Sequence, residues 1–247
     1  MGGLRLALSL FTVAPVRADR LDRPTVRLAM LLAPLAGALL GLTLAAAARA
    51  LVFAGAAPLL AAAVLVALCL LLTRGLHADG LADTADGLGS YAPPERALEI
   101  MKKSDIGPFG VAAIASVLLI DAAAATALLS ASWPSALATL TAAYAAGRLG
   151  ATVSCRRGLP AARPEGLGVM VAETVPRSLL AAAVLVVAGL AALADPWRGP
   201  AAVLAAVAVS WALTAHAHRR LGGLTGDVIG AAIELSTAAA LIVLATA

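Results

Sequence analysis

The sequence predicts an all-α fold, a polytopic transmembrane helical bundle of about seven spans with its N-terminus in the cytoplasm. Three observations carry this. The chain is 62% hydrophobic and 13% charged, with a mean hydropathy of +0.96, whereas a soluble domain carries about 25% charged residues. Seven continuous apolar runs approach the length that crosses a bilayer as a helix. The basic residues gather in alternate loops. The apolar runs are continuous rather than alternating, which excludes a transmembrane β-barrel. A single integral-membrane domain over residues 1–247 accounts for the length.

The elements follow in order. Residues 4–16 are apolar between Arg5 and Arg17, a faint echo of a signal peptide. Pro15 and the Arg/Asp-rich stretch behind it fit export poorly, so this segment is expected to be retained and to lie along the membrane. The spans are predicted at about 28–48, 56–73, 108–130, 133–155, 178–194, 200–217 and 225–246. Short turns at 55–58, 131–135 and 195–200 divide them on one side. The long connections, 74–107 and 156–177, lie on the other. Arg5, Arg17, Arg20, Arg23 and Arg27 precede the first span. Arg74, Arg96, Lys102 and Lys103 occupy the first long loop, and Arg156, Arg157, Arg163 and Arg177 the second. With Arg219 and Arg220, 15 of the 18 basic residues share one side. The positive-inside rule makes that side cytoplasmic and puts the C-terminus outside. The net charge of +4 is this topological bias, with anionic lipid or phosphate-bearing ligands as added beneficiaries, and it requires no nucleic acid. Cys69 and Cys155 fall within apolar runs and read as small buried hydrophobes, not as a disulfide or zinc site.

Chemistry concentrates in three places. The first is His77-Ala78-Asp79-Gly80-Leu81-Ala82-Asp83-Thr84-Ala85-Asp86-Gly87. Aspartates at i, i+4 and i+7 fall within a helical stripe about 60° wide and about 10 Å long. Three anions so close repel one another unless a cation sits among them. Oxygen-only ligands suit magnesium, so Asp79, Asp83 and Asp86 are the candidate metal ligands and catalytic residues. His77, nearly opposite Asp79 on the wheel, is open to three roles: general base, supporting hydrogen-bond partner, or cap of the preceding span.

The second place is the segment 93–107, which reads as a short amphipathic helix between Pro93-Pro94 and Gly107-Pro108. Glu99 with Lys102 or Lys103 is an ordinary helical ion-pair spacing. The functional alternative has Arg96 and Lys102, with Glu99, contacting substrate near the aspartates. The third place is His218-Arg219-Arg220-Leu221-Gly222-Gly223-Leu224-Thr225-Gly226-Asp227, with Glu234 following inside the last span. A Gly-rich turn before a helix start offers amides to phosphate, so Arg219, Arg220, Gly222, Gly223, Thr225 and Asp227 are candidate substrate contacts. Glu234 lies on the face of Asp227, about 10 Å deeper. A carboxylate inside a span is a functional candidate, and Glu234 is taken as catalytic. Asp121 and Arg148, also in spans, are able to pair with each other. Glu165-Gly166-Leu167-Gly168 carries no mechanism legible alone.

Acidic helix, basic residues and Gly turns on one membrane face point to metal-assisted handling of a phosphate. No Walker A motif is present.

These residues resemble the cobalamin synthase family over essentially the whole chain. The resemblance runs through Phe11-Thr12, Pro15-Val16, Pro34-Leu35-Ala36-Gly37, the aspartate motif from Gly75, Leu98-Glu99-Ile100-Met101-Lys102, Ile106-Gly107 with Gly110, Glu165-Gly166-Leu167-Gly168, and Gly222 to Asp227 with Gly230 to Leu235. It implies a multi-pass enzyme of the cell membrane working at the cytoplasmic face. It further implies a magnesium-dependent transfer in which a hydroxyl of α-ribazole, or of its 5′-phosphate, attacks the cobinamide-bearing phosphorus of adenosylcobinamide-GDP, and GMP leaves. Self-association is left open. Three positions depart from the family pattern. Lys103-Ser104-Asp105 stands where Asp-Ser-Arg is usual, an acid stands at Asp121 near a common Lys, and Arg74 stands where Gly often precedes Gly75. The rival readings are a CDP-alcohol phosphotransferase-like lipid enzyme, whose longer aspartate spacing is absent here, and a membrane transporter, which leaves the polar 74–107 loop unexplained.

Overall fold

A computed structural model describes residues 2–17 and 21–246; Arg20 lies outside them. Its regular structure is helical throughout: α1 (Gly2–Phe11), α2 (Arg23–Leu31), α3 (Ala33–Phe53), α4 (Pro58–Leu72), α5 (Leu76–Gly89), α6 (Pro94–Ile100), α7 (Pro108–Leu129), α8 (Trp133–Ser154), α9 (Leu167–Val171), α10 (Arg177–Ala194), α11 (Arg198–Leu221) and α12 (Gly226–Ala245).

Each of the seven expected apolar runs is a helix, with informative differences. The first was expected from about residue 28 but begins at Ala33. Pro34 cannot donate to the carbonyl of Met30 and would clash with it, so the helix breaks at Leu32. The residues before it form α2 instead, capped by Asp22 Oδ1 accepting from the Thr25 amide at 2.8 Å. Among the described residues, α3, α7, α10, α11 and α12 are long and apolar enough to cross a membrane. Taking α4 and α5 as one bent span makes six. α4 has only 15 residues. It ends where Arg74 (φ 59°) and Gly75 (φ 66°) both adopt the left-handed conformation and swing α5 through 88°, out of the direction of the spans. α8 is 22 residues long but rich in Ala, Gly and Thr, with Arg148 in its second half. It is buried among helices rather than wrapped in lipid.

α12 lies at the centre, packed by α5, α7, α8 and α11. Small residues permit this: a Cβ added at Gly150 of α8 would stand 2.7 Å from the Ala232 carbonyl oxygen of α12. The two larger apolar cores stack along the bundle. One, around Leu44, Leu65, Leu129 and Leu241, ends at the short turns, where Arg49 Nη1 donates to the Leu129 carbonyl at 2.6 Å. The other, around Phe11, Met30, Val228 and Ile233, supports the long loops. Those loops interlock. Arg23 donates to Ala172 O at 3.1 Å, Arg163 to Leu98 O at 2.8 Å and Arg220 to Ala92 O at 3.4 Å. α2, the α5–α6 connection, the 156–177 segment and the end of α11 therefore share one end of the bundle.

Candidate active site at one end of the bundle

The site begins with a helix crossing. A Cβ on Gly80 of α5 would stand 2.7 Å from the Asp227 carbonyl oxygen, and one on Gly230 of α12 would stand 3.1 Å from that of His77. Only glycines let the backbones meet this closely. The contact brings the carboxylates of α5 up to the start of α12. A cavity of about 280 Å³ opens beside it, lined by Arg74, His77, Asp79 and Asp227 and walled by Phe11, Met30 and Leu167.

Asp83 reports the crowding. Its carboxyl is pushed up to about 7 by burial first, then by Asp227, Asp79 and Asp86, against the opposing pull of Arg163. Asp86 has a different occupation. It is buried, and its Oδ2 accepts from the Gly107 amide at 2.7 Å while Oδ1 accepts from the Gly110 amide at 2.9 Å. Expected as a third metal ligand, it caps the N-terminus of α7 from 21 and 24 residues away. Gly107 and Gly110 leave room for its carboxylate. Among the described residues no three His, Cys, Asp or Glu side chains are gathered to hold a metal ion by themselves. The chemistry of Asp79, Asp83 and Asp227 nevertheless fits magnesium, which takes one or two carboxylates and completes its shell with water and substrate phosphate. A cation there would relieve the repulsion that lifts Asp83.

His77 is buried, with its ring 6.0 Å from that of Phe11. Burial, then Arg148 and Arg74, hold its imidazole down at about 3, so it is neutral. Nδ1 lies 3.8 Å from Glu234 Oε1 and has no hydrogen-bond partner. The neutral ring makes this a polar approach rather than an ion pair. A base held so low is poorly matched to proton abstraction near neutrality, whereas a neutral imidazole suits hydrogen bonding to a ligand in the cavity. Asp227 and Glu234 share a face of α12 but serve different neighbours: Asp227 meets the α5 carboxylates, and Glu234 meets His77 within reach of Arg148.

Arg148 is 1% exposed. Its Nη1 approaches Thr237 Oγ1 at 3.5 Å and its guanidinium lies 5.6 Å from the Tyr144 ring centre. The pairing open to it with Asp121 is not made: Arg148 Nε and Nη2 and Asp121 Oδ1 all lack hydrogen-bond partners.

The remaining candidates are spread around the rim. α6 stops at Ile100, shorter than expected, so Lys102 follows the helix and is exposed. Glu99 pairs with Arg96 at 2.7 Å, both exposed, rather than with Lys102 or Lys103, because only Arg96 shares the helical turn. Arg219 is exposed, while Arg220 lies over the Tyr91 ring at 5.6 Å. The Gly222 amide is spent on His218 O at 3.0 Å, and that of Leu224 on Pro160 O at 2.8 Å. Gly223 lies against the Pro160–Ala162 backbone. Thr225 Oγ1 caps α12 by accepting from the Val228 amide at 3.2 Å. Much of this turn is thus stitched to the 156–177 segment.

Arg163, counted in the sequence only for topology, lies at the candidate site. Its Nη1 lies 3.6 Å from Asp227 Oδ2. The available signal was its place just ahead of Glu165-Gly166-Leu167-Gly168, whose role also emerges: Gly168 packs on the backbone of Leu224 and Thr225, and Leu167 walls the cavity.

The chain is 42% identical to the adenosylcobinamide-GDP ribazoletransferase of Frankia casuarinae, covering 98% of this chain and 93% of that protein. It is 40% identical to the protein of that name from Stutzerimonas stutzeri, with 98% and 97% covered, and 39% identical to that from Corynebacterium efficiens, with 96% and 88% covered. No solved structure matches significantly. A family model described as cobalamin-5-phosphate synthase matches residues 3–245, and the chain belongs to that family.

Proposed function

We propose that this transferase joins adenosylcobinamide-GDP to α-ribazole or its 5′-phosphate, releasing GMP and forming adenosylcobalamin or its 5′-phosphate. The observation that supports this most is the glycine crossing of α5 and α12, which sets Asp79 and Asp227 on one cavity with Asp83 and Arg163 close to Asp227. In this reading two of the three carboxylates of Asp79, Asp83 and Asp227 would hold magnesium, with water and substrate phosphate completing its shell. Bound there, the ion would neutralise the diphosphate and ease departure of the leaving phosphate. Arg163 and Arg74 contribute fixed positive charge at the rim. His77 orients the incoming hydroxyl as a neutral hydrogen-bonding group, with the Glu234 carboxylate 3.8 Å behind its Nδ1. Asp86 holds α7 against α5 and so positions the acidic helix. The whole chain works as one membrane domain of seven spans in the cell membrane, α4 and α8 included, and the site faces the cytoplasm, a reading supported by the distribution of basic residues.

The test is direct. Purified protein should release GMP from adenosylcobinamide-GDP only when α-ribazole and magnesium are both supplied. Release without α-ribazole, or none with both, would overturn the assignment.

A further inference from the structure

α2 carries two chemically opposite surfaces one helical turn apart. At its start, Arg23 and Arg27 line a cavity of about 180 Å³ with Arg157, Glu173 and Thr174. Of the two acceptor-bearing residues there, Glu173 accepts from the Gly158 amide through Oε1 at 3.1 Å and Thr174 Oγ1 donates to Val171 O at 2.6 Å, so three arginines line the cavity with a single carboxylate. Among the described residues no carboxylate lies within ion-pair distance of Arg23, Arg27 or Arg157. Arg177, at the start of α10, adds a fourth positive charge beside Gly158.

At the end of α2 the chemistry reverses. Leu31, four residues beyond Arg27, opens a groove of about 780 Å³ between α3, α8 and α10. Leu35, Ala138, Val186 and Leu190 form its walls, and Thr141 is the one polar residue in them. Along α10 it runs from Ala183 to Ala194, about 16 Å at the helical rise. α10 exposes Leu185, Val186, Leu190 and Leu193 around it, the surface expected to face hydrocarbon.

We infer that this is a binding site for one anionic phospholipid, its phosphate held by Arg23, Arg27 and Arg157 and an acyl chain lying in the α3–α8–α10 groove. Charge complementarity selects the headgroup, and the groove beginning one turn below selects an amphiphile over a free anion. The site is separate from the aspartate cavity, but the two share α2, whose Met30 walls that cavity.

The experiment is lipid retention by the full-length protein in detergent, read by native mass spectrometry with phosphatidylglycerol, phosphatidylcholine or inorganic phosphate added. Phosphatidylglycerol should be retained in preference to phosphatidylcholine and resist displacement by inorganic phosphate. The double variant Arg27→Ala, Arg157→Ala should weaken that retention about fivefold per arginine removed. Ala138→Trp, which fills the groove, should abolish it, and Ala142→Leu gives a milder version should the tryptophan variant fail to fold. Equal retention of the two lipids overturns the inference. So does full displacement by inorganic phosphate with no effect of Ala138→Trp, which would mark a free-anion site. A two-chain mass that persists without lipid and is lost in Ala138→Trp would assign the groove to a second copy, and also overturns it.

Discussion

His77 Nδ1 and Glu234 Oε1 lie 3.8 Å apart with both side chains buried, so an acidic group deep in the central helix faces a neutral imidazole on the helix that carries the aspartates. The gap is too long for a hydrogen bond and closes with a small shift of either side chain. Glu234→Gln preserves shape but offers the imidazole a mixed donor and acceptor. It should lower turnover on the order of 100-fold with thermal stability nearly unchanged. Glu234→Ala leaves a void in a tight crossing and should cost about 2 kcal/mol as well. Turnover measured beside thermal unfolding separates the two, and a stable, fully active Gln variant refutes a role in the reaction.

The three aspartates of α5 should divide into two classes. Asp79→Ala and Asp83→Ala should abolish or cripple turnover while the protein inserts and unfolds at nearly the normal temperature. Asp86→Ala removes both bonds to the α7 amides and should destabilise the protein by about 2 kcal/mol. Near-normal activity at low magnesium in both Asp79→Ala and Asp83→Ala sinks the metal assignment.

The Asp83 carboxyl titrates at about 7 instead of its usual 3.8. A carboxyl raised on folding contributes stability that is full below its unfolded value and is lost as pH rises through its folded one. Magnesium-free protein should therefore lose stability between about pH 4 and pH 7. Asp83→Asn, neutral throughout, should lack that part of the decline. Screened by the water that reaches it, the difference is about 1 kcal/mol at pH 8. Thermal scans of the two proteins across this range check it, and parallel curves contradict it.

Gly80→Ala should separate α5 from α12, since its Cβ would press on backbone rather than on a yielding side chain. We expect a loss of about 1–3 kcal/mol and a larger fall in turnover than stability alone explains, because Asp79 and Asp83 move away from Asp227. An alanine variant with normal kinetics would show that the crossing is not needed for the site.

The orientation is open to labelling. Cys155 is buried, which limits the background. In intact cells Ser90→Cys should be protected from an impermeant thiol reagent and Ser132→Cys should react. The reverse pattern would place the aspartate helix outside.

The fold was legible because burial in lipid imposes long apolar runs, and each run became a helix. The break at Leu32 was written in Pro34. The sharp elbow before α5 was less visible, since Arg74 in a left-handed conformation looks in sequence like any loop arginine. Its mark was the departure from the glycine that relatives of the resembled family often carry there. The aspartate spacing located the acidic helix but not the different partners of its three carboxylates. That difference depends on Gly107 and Gly110, whose approach to Asp86 no helical wheel contains. Arg163 was hidden for the same reason: its partner, Asp227, is 64 residues away in the chain.

α8 has a consequence for how the protein is made. Insertion scales charge an arginine at a span's centre about 2.5–3.5 kcal/mol; Arg148, in the second half of α8, bears part of that, and the Ala, Gly and Thr residues around it offset little of it. α8 therefore has a weak claim on the bilayer when it leaves the ribosome. α3, already synthesised, packs along it, but α10, α11 and α12, which complete its burial, come later. Nascent α8 must be held by α3 or by an insertase until the last helix arrives. A chain stopped before Gly226 would keep its arginine without Thr237 or Glu234 nearby, a ready mark for membrane quality-control proteases.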